Sequence, residues 1–305
     1  MGKIAFVFAG QGAQYAGMGR ELYEASPAAR AAFDRAESLR PGTLEMCFSG
    51  PAEALSVTAN TQPCLFAMDY ACAAAAAREA GVSPDCLAGF SLGEVAAMAF
   101  AGVMDFDEAF RFVVKRAEEM QSCAEKHPGA MGAVLRLTPA QVEDICRAFP
   151  DKAFPVNYNC PGQTVVACAV EVYDELAAKV AEARGRMLRL NVSGAFHTPW
   201  MGDAAEALKA YLTNRPTRVP ELPLYANATA QPYADDAAHL LSTQVCHPVR
   251  WQESVERMAE AGVDTFIEVG AGKTLSGLIR KTIPGAAIFN VEKPEDLQKL
   301  SEVRA

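Results

Sequence analysis

Residues 89–94 read Gly89-Phe90-Ser91-Leu92-Gly93-Glu94, set between the short apolar run Pro84-Asp85-Cys86-Leu87-Ala88 and the apolar stretch Val95-Ala96-Ala97-Met98-Ala99-Phe100. A strand that feeds a helix through a serine between two glycines is a nucleophile elbow, a sharp turn that lifts the serine oxygen clear of a sheet. Small residues are needed on both sides, because a side chain there would crowd the turn. The helix that follows aims its N–H groups and positive dipole end at the serine, where an oxyanion would form. The alternative is a plain Gly/Ser turn. The strand–turn–helix context favours Ser91 as a catalytic serine.

Working outward, strands and helices alternate. Met1-Gly2-Lys3-Ile4-Ala5-Phe6-Val7-Phe8 holds an apolar run too short for a secretory signal, and it ends in the loop Gly10-Gln11-Gly12-Ala13-Gln14. It reads as a first buried strand over 3–8. Helices fill about 16–80, including the alanine-rich stretch 71–77, and a strand at 85–90 leads into the elbow. A helix at 106–124 follows. Near the C-terminus Asp264-Thr265-Phe266-Ile267-Glu268-Val269 is another strand, ending in Gly270-Ala271-Gly272. Such alternation implies a parallel sheet covered on both faces.

The middle of the chain has a different rhythm. Gly129 to Leu137 reads as a strand, 139–148 as a helix, and 154–158 and 163–168 as strands flanking Asn159-Cys160-Pro161-Gly162. A helix at 171–184 and a strand at 186–190 complete β-α-β-β-α-β, the ferredoxin-like order. The expected organisation is a catalytic domain formed by 1–126 and 195–305, with a small domain inserted at 127–194.

Composition narrows the function classes. Half of the 305 residues are hydrophobic, so a large core can be buried, yet no run approaches the length of a membrane span. The nine cysteines are scattered and never form a CxxC pair, which argues against zinc and against a disulfide framework. They read as small buried hydrophobes in a reducing cytosol. A net charge of −9 disfavours nucleic acid as a partner.

A catalytic serine needs a base, and the chain has four histidines: His127, His197, His239 and His247. His127 lies in a hinge loop, His239 among polar residues on a helix, and His247 in a turn before Pro248. His197 lies in Ser193-Gly194-Ala195-Phe196-His197-Thr198-Pro199, where the small domain hands back to the large one. Clefts between domains favour chemistry, so His197 is the candidate base. No acidic neighbour suggests itself, and a backbone carbonyl can orient the imidazole instead. On helix 106–124 an apolar stripe runs through Phe106, Phe110, Val113, Ala117 and Met120. Arg116 lies on its edge, so its head can reach a cleft while its stem packs, whereas Arg111 projects away. On periodicity alone a snorkelling surface arginine is the commoner outcome.

Taken together these residues resemble the malonyl-CoA:acyl carrier protein transacylases of fatty-acid synthesis and the related acyltransferase domains of polyketide synthases. Phe8-Ala9-Gly10-Gln11-Gly12-Ala13-Gln14 with Gly17-Met18-Gly19 is similar to the family's FPGQGAQ…GMG opening, and Gly89 to Glu94 to its GHSxGE elbow. Lys115-Arg116 with Met120-Gln121 is similar to its R-G-x-x-M-Q helix. Asn159-Cys160-Pro161-Gly162-Gln163, Ala195-Phe196-His197, Pro248-Val249-Arg250-Trp251 and Glu268-Val269-Gly270-Ala271-Gly272-Lys273 also have counterparts. Phe90 stands where a histidine is usual, Ala9 where a proline is, and Ala117 where a glycine is. The resemblance implies an α/β fold, an α/β-hydrolase-like core with a parallel sheet and a ferredoxin-like insertion.

It also implies roles. Ser91 is the nucleophile, His197 the base, and Arg116 the group that binds the free carboxylate of a malonyl unit. The backbone N–H groups of Gln11 and Leu92 form the oxyanion hole, and the Gln244 carbonyl orients His197. Malonyl-CoA and acyl carrier protein are the expected partners, with no metal or redox cofactor, in a cytoplasmic monomer. Acyl carrier proteins are acidic, so docking calls for local positive charge. Two clusters offer it: Arg184, Arg186 and Arg189, and Arg280 with Lys281. Rival readings are a serine esterase or thioesterase, which has no need of Arg116, a polyketide-associated transferase, and a carrier-binding scaffold. A nucleotide-binding loop at Gly272-Lys273-Thr274 would need glycine where Ile267 stands.

Overall fold

The computed structural model describes residues 2–192, 194–300 and 303. Met1, Ser193 and residues 301, 302, 304 and 305, which fall within ranges given above, lie outside the described residues. The first apolar run is β1 (Lys3–Phe8). Its side chains alternate between two cores, Phe6 and Phe8 on one face and Ala5 and Val7 on the other. A strand buried on both faces needs a continuous apolar run rather than an alternating one. Helices α1 (Arg20–Ala25), α2 (Pro27–Leu39), α3 (Thr43–Ser49), α4 (Ala52–Leu55) and α5 (Thr58–Arg78) follow, then β2 (Cys86–Gly89), α6 (Leu92–Phe100) and α7 (Phe106–Lys126). The alanine-rich stretch lies in α5. Ala71, Ala73, Ala75 and Ala76 are fully buried there, and α2, α6 and α7 pack against this helix.

In the middle come β3 (Gly129–Leu135), α8 (Pro139–Arg147), β4 (Ala153–Cys160), β5 (Gln163–Ala169), α9 (Tyr173–Glu182) and β6 (Arg186–Arg189). They form an antiparallel sheet of order β4-β5-β3-β6, so the element order expected from the sequence is the one observed. Several boundaries differ by one or two residues. Asn159 and Cys160, expected in a loop, extend β4, and the turn is carried by Pro161 and Gly162, the glycine at φ 75. The helix expected over 171–184 opens with a single 3₁₀ turn at Val170–Val172 and ends at Glu182.

The last third contains α10 (Gly202–Leu212), β7 (Leu224–Tyr225), α11 (Ala237–Thr243), α12 (Trp251–Glu260), β8 (Val263–Val269), α13 (Thr274–Thr282), β9 (Ala287–Val291) and α14 (Pro294–Lys299). The second sheet is wholly parallel, in the order β7-β2-β1-β8-β9. Phe8 lies opposite both Gly89 and Val269, so the three central strands end together. The loop after β1, the elbow after β2 and the glycine loop after β8 therefore open on one side, at the strand C-termini where open α/β sheets place their ligands. The small sheet is tied over this side. Tyr158 N–H donates to the Val249 carbonyl (2.9 Å), and Val249 N–H to the Val156 carbonyl (2.8 Å).

Among the described residues no helix is long and apolar enough to cross a membrane. All nine cysteines are free, eight of them buried and Cys246 partly so.

Candidate active site

Ser91 occupies φ 53, ψ −103, a left-handed backbone region that few side chains enter. The glycines on either side make the turn possible. A Cβ on Gly89 would lie 2.0 Å from the Gly93 carbonyl carbon, and one on Gly93 would lie 2.3 Å from the Phe8 carbonyl oxygen. The β2–α6 turn is thus pressed directly against the end of β1. The Ser91 side chain points to the cleft, with its Oγ 2.8 Å from His197 Nε2.

His197 is almost fully buried and itself sits at φ 63. Its Nδ1 faces two carbonyl oxygens, those of Gln244 (3.1 Å) and His247 (3.0 Å). Two acceptors there require the proton on Nδ1, which leaves the Nε2 lone pair toward Ser91. Burial, followed by the positive charge of Arg116, lowers its pKa to about 4. The ring is neutral at physiological pH and ready to accept a proton. The sequence pointed to one carbonyl; the second, from His247, carries no local signal.

Arg116 is fully buried, so it is neither a snorkelling surface residue nor merely at the stripe's edge. Its helix begins at an Asp105 cap, whose side chain accepts from Glu108 N–H (2.8 Å). Nη1 donates to Gln62 Oε1 (2.7 Å), and Nη2 to both Gln244 Oε1 (2.7 Å) and Ser91 Oγ (3.1 Å). Among the described residues no carboxylate lies within ion-pair distance of it, and its Nε has no partner. Burial lowers its pKa to about 10, so the cation persists at neutral pH. Arg111, by contrast, is half exposed and pairs with Asp107.

Gln244 has a larger part than its carbonyl alone. Its side-chain nitrogen donates to the Ser91 carbonyl (2.9 Å) while its oxygen holds Arg116. One residue therefore touches the serine, the histidine and the arginine. Leu92 N–H and Gln11 N–H have no acceptor among the described residues. Gln11 lines the chamber with Ser91, and Leu92 follows Ser91 in the chain. A free N–H at a helix start beside a nucleophile is what a developing oxyanion needs.

A chamber of about 80 Å³ contains Ser91, His197, Met120, Met131 and Phe196. It shares Gln11, Phe90, Asn157 and Leu190 with a neighbouring cavity of about 210 Å³ that reaches Gln163, Thr274 and Leu278. Phe90, at the position where the sequence departs from its relatives' usual histidine, packs on Trp251 with ring centroids 5.5 Å apart. At the α13 N-terminus two of the N–H groups a phosphate would need are already taken. Leu275 N–H and Ser276 N–H already donate to the Glu268 carboxylate (3.0 and 2.7 Å).

Residues 5–293 match the model of the acyl transferase domain family. The chain belongs to that family. The acyl transferase is 38% identical over 306 residues to the malonyl CoA-acyl carrier protein transacylase of Bacillus subtilis strain 168, covering 98% of this chain and 96% of the relative. The crystal structure of a transacylase of the same description from Clostridium perfringens is 35% identical, with a TM-score of 0.94 over 99% of this chain and 97% of that one. A malonyl-transacylase solved in complex with a type II polyketide acyl carrier protein is 32% identical, with a TM-score of 0.94 over 99% of both chains.

In this acyl transferase the two basic clusters stand at the same end of the small sheet, one on its edge strand β6 and the other beside its opposite edge strand β4. Arg186, Leu135, Gln163 and Cys160 are paired in register across β6, β3, β5 and β4. Three strand spacings put Arg186 roughly 14 Å from Cys160, and Lys281 is close enough to Cys160 to lower the pull of burial on its thiol. Arg184, Arg186, Arg280 and Lys281 are exposed, and Arg189 lies over the Tyr173 ring at 4.7 Å. Gln163, in the same row, lines the larger cavity.

Proposed function

We propose that the protein moves a malonyl group from malonyl-CoA to the phosphopantetheine thiol of an acyl carrier protein, through a malonyl ester on Ser91. One observation carries the reading. A fully buried arginine touches the Ser91 oxygen and pairs with no carboxylate among the described residues, so the acyl group that enters supplies the anion. Planar two-pronged pairing of guanidinium with carboxylate suits this place. His197 Nε2 takes the Ser91 proton as Oγ attacks the thioester carbonyl, and the oxyanion is received by the Gln11 and Leu92 N–H groups. Collapse expels the coenzyme A sulfur, which leaves with the proton from His197. The carrier thiol then gives its proton to His197 and attacks the ester, and Ser91 recovers a proton as it leaves.

In this reading Gln244 orients both His197 and Arg116, and Arg186, Arg280 and Lys281 receive the acidic carrier. Residues 127–194 form a small domain over a catalytic domain of 1–126 and 195–305. The steps use no metal or redox cofactor, the free cysteines suit a reducing cytoplasm, and the protein acts as a monomer. The carrier is that of fatty-acid synthesis. A polyketide carrier is the second reading, favoured by the likeness to the transacylase solved with such a carrier. Intact-mass spectrometry after brief exposure to malonyl-CoA tests the proposal. A malonyl-sized adduct that vanishes in Ser91→Ala is expected, and one that persists in the variant would overturn it.

A further inference from the structure

The elbow is held from outside itself. The buried Asn227 side chain spans the turn: Oδ1 accepts the Ser91 N–H and Nδ2 donates to the Gly89 carbonyl, each at 2.6 Å. Asn227 is in turn gripped through its backbone. Its N–H donates to Glu94 Oε2 (2.7 Å) and its carbonyl accepts from Arg250 N–H (2.9 Å). The Tyr233 hydroxyl donates to the other Glu94 oxygen. Asn227 and Tyr233 face this place together because the chain folds back after β7, where Ala226 N–H donates to the Gln231 carbonyl and Tyr233 N–H to the Leu224 carbonyl.

This clamp bears on the chemistry in two ways. With the Ser91 N–H taken by Asn227, the free donor on the elbow is that of Leu92, one residue on. A left-handed serine has no intrinsic reason to stay left-handed. Relaxation of its peptide would swing Oγ away from His197 and Arg116, which it contacts at 2.8 and 3.1 Å. We propose that Asn227 is a positioning residue that holds the elbow in its reactive conformation, with Glu94 and Tyr233 as its buttress. The assignment rests on Ser91 being the residue that carries the acyl group.

Asn227→Asp separates this role from general packing. The ionised side chain keeps an acceptor for Ser91 N–H but sets a second acceptor against the Gly89 carbonyl, beside the Glu94 carboxylate. The protonated side chain donates to Gly89 and accepts from Ser91, as asparagine does. The other titratable groups facing this place are Glu94 itself, whose carboxyl pKa burial raises to about 7 in wild type and variants alike, Tyr233 through it, and Arg116 and His197 through Ser91. Near pH 8 the single-turnover rate of Ser91 malonylation should fall about 100-fold, the penalty for a misplaced reacting atom. The deficit relative to wild type should shrink about tenfold or more near pH 5, as the introduced carboxyl gains its proton. Asn227→Ala should show a deficit of similar size at both pH values.

A deficit in Asn227→Asp that is absent, or the same at both pH values, would overturn the proposal. Tyr233→Phe gives a second arm that does not depend on the folding of the first variant. Loss of one hydroxyl on Glu94 should lower the rate about three- to tenfold at unchanged KM for malonyl-CoA, and an unchanged rate would remove the buttress. Wild-type protein that forms no adduct on Ser91 would instead refute the transfer reaction itself.

Discussion

Replacing Arg116 by alanine is the perturbation whose consequences the structure specifies most closely. The guanidinium donates to Gln62 Oε1, Gln244 Oε1 and Ser91 Oγ, and among the described residues no carboxylate pairs with it. In Arg116→Ala the malonyl carboxylate would enter the chamber unpaired, losing about 2–4 kcal/mol of transition-state stabilisation. At 1.36 kcal/mol per decade this is roughly 30- to 900-fold in the rate of Ser91 acylation by malonyl-CoA. Acetyl-CoA brings no carboxylate, so its transfer should be kept or improved. The two glutamine oxygens are left without their donor, and each should cost about 1–3 kcal/mol of stability. Arg116 is also the second cause, after burial, of the low His197 pKa. The acid limb of acetyl transfer should therefore move upward from about 4 in the variant. Single-turnover acylation with both thioesters, followed by intact mass across pH, reads all of this. Equal losses on malonyl-CoA and acetyl-CoA, with an unmoved acid limb, would show that Arg116 only fills space.

The wild-type acid limb follows from the same environment: His197, with its pKa lowered from 6.5 to about 4, stays neutral as pH falls and loses its lone pair only near that value. Its kcat/KM should decline around pH 4, and a decline centred at 6.5 would contradict the burial argument. His197→Ala should slow adduct formation by about two to four orders of magnitude without moving KM in proportion, as measured by single-turnover kinetics. Gly93→Ala would drive a Cβ to 2.3 Å from the Phe8 carbonyl oxygen, an atom fixed in the central strand. A loss of about 3 kcal/mol or more in denaturant titration is expected, and near-native stability would mean the elbow is looser than its contacts imply. Reversing both Arg186 and Lys281 to glutamate should raise KM for the carrier protein and flatten its salt dependence, leaving the malonyl-CoA half-reaction nearly untouched. Unchanged carrier kinetics at low salt would rule out docking at this end of the small sheet.

Much of the site was readable from local sequence because its parts are local devices. Gly89-Phe90-Ser91-Leu92-Gly93 specifies a turn by the absence of side chains, and Ala5–Phe8 and Phe266–Val269, the latter apolar except for Glu268, specify strands buried on both faces. The β-α-β-β-α-β order of the small sheet was legible for the same reason. Other elements left little trace. β7 is two residues long, and β9 is a half-exposed edge strand without alternation.

What only the tertiary structure decided is which distant side chains converge. Ser91 meets His197 across 106 residues, Asn227 across 136 and Gln244 across 153. Helical periodicity put Arg116 beside an apolar stripe but could not tell a solvated head from a buried one. That difference depends on Gln62 from α5 and Gln244 from the turn after α11 arriving at the same point. Asn227 and Tyr233 had no motif of their own to mark them, and Glu94, though it closes the elbow motif, gave no sign of what it would touch. Their meeting is set by the parallel register of β1, β2 and β7 and by the packing of helices against that sheet. Periodicity encodes which face of an element is buried, whereas register and packing determine what that face touches.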